Sequence, residues 1–155
     1  MSVVAMAFAA CSKNEDRESE AIDTHVCLVF LDKDSTDLLN PDNPNGYKFS
    51  EMGLYKDLNL MEKRTNGWLF GSEEGCLSHT NFELKVYYYI LFDAPKDYME
   101  KRDGKNLWCA TSYLKLNETT IDTVYTEVTV TEGSQRLSKV LYNGQDITKF
   151  KVVIK

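Results

Sequence analysis

Across residues 82–93, Phe82, Leu84, Val86, Tyr88, Ile90 and Phe92 recur at every second position, with Glu83, Lys85, Tyr87 and Tyr89 between them. A period of two puts these apolar side chains on one face of a strand and scatters them around a helix, so the run reads as a half-buried β-strand. The same bias toward β-branched, aromatic and alternating residues marks residues 24–31, 107–116, 119–131, 136–142 and 150–154 as strands. In the last of these, Phe150, Val152 and Ile154 alternate with Lys149, Lys151 and Lys155, which predicts a lysine-lined sheet edge. Turn residues punctuate the chain at Asn40-Pro41, Asn66-Gly67, Gly71 to Gly75, Ala94-Pro95 and Asp103-Gly104. Asn143-Gly144 predicts a type I′ hairpin turn, because both central residues of that turn need positive φ. Residues 50–62 hold the one arguable helical stripe, Met52, Tyr55 and Leu58. Gly53 and the Leu58, Leu60 alternation turn the reading to a strand followed by a loop. Many short strands and no internal repeat in a chain of this size predict an all-β, antiparallel β-sandwich, immunoglobulin-like or transthyretin-like.

The N-terminus has a different composition. Residues 1–10 carry no charge and end in Phe8-Ala9-Ala10, followed by Cys11 and the polar run Ser12-Lys13-Asn14-Glu15-Asp16. An apolar core closed by small residues before a cysteine resembles a bacterial lipoprotein signal, in which Cys11 becomes the first mature residue and receives diacylglycerol. It departs from the usual pattern in having no Lys or Arg before the apolar run and Phe8 where Leu is more common. The resulting division is a signal peptide at 1–10, an acidic tether at 11–23 and one β-sandwich domain at 24–155. Cleavage leaves 155 − 10 = 145 residues, a usual single-domain size. The tether carries Glu15, Asp16, Glu18, Glu20 and Asp23, too polar to offset its ordering entropy by burial. Its start also resembles the export tag that sends lipoproteins of Bacteroides-type bacteria to the cell surface, and reads equally as a solvated linker.

A net charge of −6 and a pI near 5.0 leave no basic footprint for phosphates, which argues against a nucleic-acid partner. With Cys11 acylated, Cys27, Cys76 and Cys109 are an odd number and one thiol must stay free. Cys27, inside Val26-Cys27-Leu28-Val29-Phe30, reads as a small buried hydrophobe. Cys76 and Cys109 are then the expected disulfide in an oxidising compartment.

Three further stretches carry a family resemblance: residues 37–44 (Asp-Leu-Leu-Asn-Pro-Asp-Asn-Pro), residues 116–124 around Asn117 and Thr119-Thr120-Ile121-Asp122-Thr123-Val124, and residues 140–144. Together they resemble small surface lipoproteins of Bacteroides-type bacteria. The resemblance implies a β-sandwich held at the outer membrane or cell surface, with a periplasm-facing placement as the alternative. It implies no catalytic residue.

Chemistry-bearing groups are sparse. Asp32, Asp34, Asp37, Asn40, Asp42 and Asn43 supply hard oxygens, but Asp37 stands where an EF-hand loop needs Gly and Asn43 where it needs Glu. Asx turns are the expected use of that loop, and no metal or cofactor is expected. The two histidines are His25 and His79. His79 with Ser78 and Glu83 offers a hydrolase reading, although no nucleophile elbow or metalloprotease helix accompanies them. Trp68, Trp108, Tyr87 and Tyr89 are the candidate ligand-binding residues, because an aromatic ring with a polar tip suits glycan and protein surfaces. For the tryptophans a place in the core or at a sheet margin is the competing reading, and the face of the two tyrosines could equally be covered by the second sheet. The expected function is a non-enzymatic binding or adhesion module anchored through lipid on Cys11, with a secreted hydrolase or a structural subunit of a surface assembly as alternatives.

Overall fold

A computed structural model describes residues 21–73, 87–149 and 152–155. These form an all-β, sandwich-like fold. Its strands are β1 (Ala21–Asp23), β2 (His25–Leu31), β3 (Gly53–Tyr55), β4 (Lys63–Arg64), β5 (Leu69–Glu73), β6 (Tyr87–Asp93), β7 (Tyr98–Arg102), β8 (Lys105–Lys115), β9 (Ile121–Thr131), β10 (Ser134–Tyr142), β11 (Gln145–Asp146) and β12 (Val152–Ile154). A 3₁₀ turn, Phe49–Glu51, precedes β3.

The larger sheet runs β1-β10-β9-β8-β3-β4, with β11 beside β10 and β7 beside β8. The smaller runs β12-β2-β6-β5. Most ladders are antiparallel, as the alternation predicts, but β1 pairs with β10 and β12 with β2 in parallel. Both sheets are therefore mixed. Asn143 and Gly144 have φ of 48° and 81° and turn β10 into β11, as the sequence predicts. Asp103 and Gly104 do the same between β7 and β8, at 51° and 77°. Residues 50–62 hold β3 and a loop, so the strand reading stands there too.

The core lies between the sheets. Val26, Leu28 and Phe30 of β2 and Ile90 and Phe92 of β6 meet Leu114 of β8, Val124 and Val128 of β9, and Val140 and Tyr142 of β10. Phe30 meets Tyr47 and Tyr142 edge-on, with centroids 6.1 and 5.8 Å apart. That is the geometry ring quadrupoles favour. On β9, Asp122 faces inward and accepts hydrogen bonds from Tyr142 Oη at 2.6 Å, Asn143 Nδ2 at 2.7 Å and Lys155 Nζ. Burial pushes its carboxyl up, but these three donors outweigh burial and hold it below the usual carboxylate range. The cluster fastens Lys155, just past β12, to the large sheet.

Several expectations are corrected. Residues 21–23, placed in the tether, form β1. Val153 is buried at 6% exposure and Ile154 is 60% exposed, which reverses the inward residues expected of the last strand. In a short, uniformly apolar strand, alternation cannot set the register. Lys155 does not line an exposed edge but pairs with Asp122. Phe150 and Lys151 lie outside the described residues.

Tyr87 and Tyr89, whose face the sequence leaves open between solvent and a covering layer, are 7% and 9% exposed and pack with Cys27, Val29 and Leu31 in a second apolar cluster on the outer face of the small sheet. With both faces of β2 buried, its apolar run is continuous, which is the signature of a doubly covered strand. Gly71 lies opposite Tyr89 in the ladder, and a Cβ there would come within 2.6 Å of the tyrosine Oη. The glycine lets the ring lie flat across β5.

The cysteines also exchange roles. Cys27 is disulfide-bonded, and Cys109 is a free, fully buried thiol. The expected Cys76–Cys109 bridge is excluded. Cys109 sits within the large sheet, between Tyr98 and Glu127 in the ladder, and bridging requires Cα atoms within about 7 Å, a condition that spacing along the chain does not reveal.

Candidate functional site

Residues from four separate segments converge on a cleft of about 710 Å³ at one end of the sandwich. Thr24 and His25 come from the start of β2, Glu62 to Asn66 from β4 and its flanks, and Asp93 to Asp97 from the end of β6 and the chain beyond it; Leu54 and Ala94 supply apolar surface. Gly67, at φ 67°, allows the close approach that shapes the cleft: a Cβ there would lie 2.9 Å from the Asp93 backbone nitrogen. With hydrogen in its place, Asp93 N donates to Asn66 O at 3.2 Å.

Two close side-chain pairs sit in the cleft. His25 Nε2 lies 3.2 Å from Asp93 Oδ1, with both side chains about half exposed. Arg64 donates to both carboxylate oxygens of Asp97, at 3.0 and 2.5 Å, and to Thr111 O at 3.3 Å. Along this edge β8 pairs with β7 through Cys109 and with β3 from Tyr113 onward. The Arg64 guanidinium fills the gap between those partners, where a carbonyl would otherwise lack a donor. Its own Nε remains buried without a partner. Lys96 Nζ is taken up by Gln135 Oε1. Among the described residues no hydrogen bond or ion pair engages the side chains of Lys63, Thr65 and Asn66, all exposed on the rim. The cleft therefore has fixed internal charges and a free polar rim.

The aromatic candidates lie elsewhere. Trp68 stacks on Phe49 at 5.4 Å, near parallel, and packs on the core, as does Trp108. Tyr87 and Tyr89 are buried in the apolar cluster on the outer face of the small sheet. None of the four lines the cleft. His79 and Ser78 lie outside the described residues, as does Cys11.

Asp32, Asp37, Asn40 and Asn43 each accept a backbone N–H two residues on, as Asx turns require. The N–H of Thr36, then that of Asp34, hold the Asp32 carboxyl below its ordinary range. Asp37 also accepts from Tyr88 N at 2.8 Å, tying the loop to β6. These oxygens brace the chain rather than converge on a point.

His25 with Asp93 can relay a proton, but among the described residues no hydrogen bond joins His25 to a hydroxyl or thiol. Comparison with protein-family models, curated proteins and solved structures gave no match in any of the three.

Proposed function

We propose that the chain is an extracytoplasmic lipoprotein, anchored through acyl groups on Cys11, whose β-sandwich binds a glycan or protein partner. The observation that carries the compartment is the disulfide at Cys27, since structural disulfides persist outside the reducing cytoplasm. It joins the apolar leader and acidic segment in favouring an exported domain, at the outer membrane or cell surface. The free rim of Lys63, Thr65 and Asn66 is the binding surface in this reading, in place of the aromatic residues.

Metabolic labelling with a fatty-acid analogue tests the anchor. Label should enter the wild type and be lost in Cys11→Ala; equal incorporation in both would sink the reading. A glycan and protein array tests the module, with hits expected to disappear in a Lys63→Glu, Asn66→Ala double variant. The His25–Asp93 pair in the cleft favours one second reading, a hydrolase. Turnover of an array hit that stops in His25→Ala would establish it.

A further inference from the structure

Charge in the cleft is unevenly neutralised. Each carboxylate that lines it has a basic group alongside: the Arg64 guanidinium for Asp97, the Lys56 ammonium at 3.2 Å for Glu62, and the His25 imidazole for Asp93. The ammonium groups in the lining have no such partners. Among the described residues Lys63 Nζ makes no hydrogen bond or ion pair, and Lys96 Nζ is held by a neutral amide, Gln135 Oε1. Two positive charges thus line one concavity without a carboxylate at ion-pair distance, and a concave wall focuses their field. The chain as a whole stands at −6, but exposed charges beyond about 8 Å are largely screened at physiological salt, so the local pair governs what enters.

We infer that the cleft takes an acidic glycan, one whose rings are hexuronic acids. The inference rests on the reading of the cleft rim as the binding surface and narrows its ligand. No Phe, Tyr or Trp lines the cleft, so the apolar face of a neutral sugar finds no aromatic ring to cover it. Lys63 and Lys96 supply the charge for ring carboxylates. The Thr65 hydroxyl and the Asn66 carboxamide, both exposed on the rim, can each donate and accept, as vicinal ring hydroxyls require. Both ends of the Arg64 fork are on Asp97, which leaves no planar fork for a phosphate or sulfate. A volume of about 710 Å³ is within the ~300–1,000 Å³ usual for small-ligand sites.

Isothermal titration calorimetry of the full-length protein with trigalacturonic and trimannuronic acid, their methyl esters and cellotriose gives the test. At least one free acid should bind, and its ester and cellotriose should bind about tenfold more weakly or worse, since charge-assisted hydrogen bonds are lost. Lys63→Gln and Lys96→Gln should each weaken that binding about tenfold, whereas Lys105→Gln, exposed but outside the cleft, should leave it unchanged. Both cleft lysines are exposed, so thermal melts of the variants should match the wild type. No binding of either acid, equal binding of the esters, or undiminished binding in the Lys63→Gln, Lys96→Gln double variant would overturn the inference. Triglutamate binding as tightly as the uronates would overturn it in favour of an acidic peptide. A neutral glycan or protein hit on the array that disappears in the Lys63→Glu, Asn66→Ala variant would overturn this ligand class and leave the binding module standing.

Discussion

The outer faces of the two sheets are built on opposite principles. Behind the small sheet, Cys27, Val29, Leu31, Tyr87 and Tyr89 form an apolar layer with a disulfide in it. On the large sheet, Glu127 of β9 accepts from Arg102 Nη1 and Tyr125 Oη, each at 2.9 Å, while Arg102 also pairs with Glu100. Burial pushes the Glu127 carboxyl up, but the hydrogen bonds from Arg102 and Tyr125 hold it below its usual range. Burial also raises the Tyr125 hydroxyl, with Glu127 beside it. One layer is apolar; the other is held by hydrogen-bonded charges. An alternating strand declares which side chains share a face, but only the next layer of structure decides whether that face is wet.

Perturbing the two faces should give unequal effects. The largest is expected for Cys27→Ser, which removes the disulfide and leaves a hydroxyl in an apolar layer; urea unfolding should show a loss of roughly 2–5 kcal/mol. A loss under 1 kcal/mol would break the comparison. Gly71→Ala drives a methyl into the Tyr89 ring, and an overpacking cost of about 1–3 kcal/mol should appear in the same measurement. On the polar face, Glu127→Gln should cost about 1 kcal/mol at neutral pH, because Arg102 stays open to solvent and the pair is partly screened. The Glu127 carboxyl is depressed in the folded state, so its contribution is full above about pH 4.3, the unfolded value, and is lost as pH falls through the folded one. Wild type and variant should therefore converge in acid. The smallest effect has the opposite sign: Ser112 Oγ and Thr126 Oγ1 are buried in the large sheet without partners, and Ser112→Ala with Thr126→Val should be neutral or raise stability by about 1 kcal/mol, read as a thermal shift.

Much of the framework is legible in the sequence. Period-two patterning marks β6, β8, β9 and β10, and Asn143-Gly144 marks a turn, because local sterics and side-chain alternation act within a few residues. The Asx loop is equally local: each oxygen bonds a neighbour two positions along. What escapes depends on distant partners. The burial of Tyr87 and Tyr89 depends on a covering layer, and the state of Cys27 and Cys109 on which strands share a sheet. The cleft draws on residues 22–25, 62–66 and 93–97, and no spacing rule joins those segments. Arg64 is the sharpest case. As a sequence it is one cation among eighteen lysines and arginines, and only the change of partner along β8 gives it a carbonyl and a carboxylate to bridge.

The parallel pairing of β1 with β10 carries a mechanical consequence. In the proposed anchored arrangement, a pull on the amino end would first meet Ala21–Asp23, where three ladder positions resist it. Behind them, Thr24 O accepts from Ala94 N at 2.8 Å, and β2 continues into the centre of the small sheet. Under that pull the three-residue strand would yield first, ahead of the longer ladders that close the sandwich.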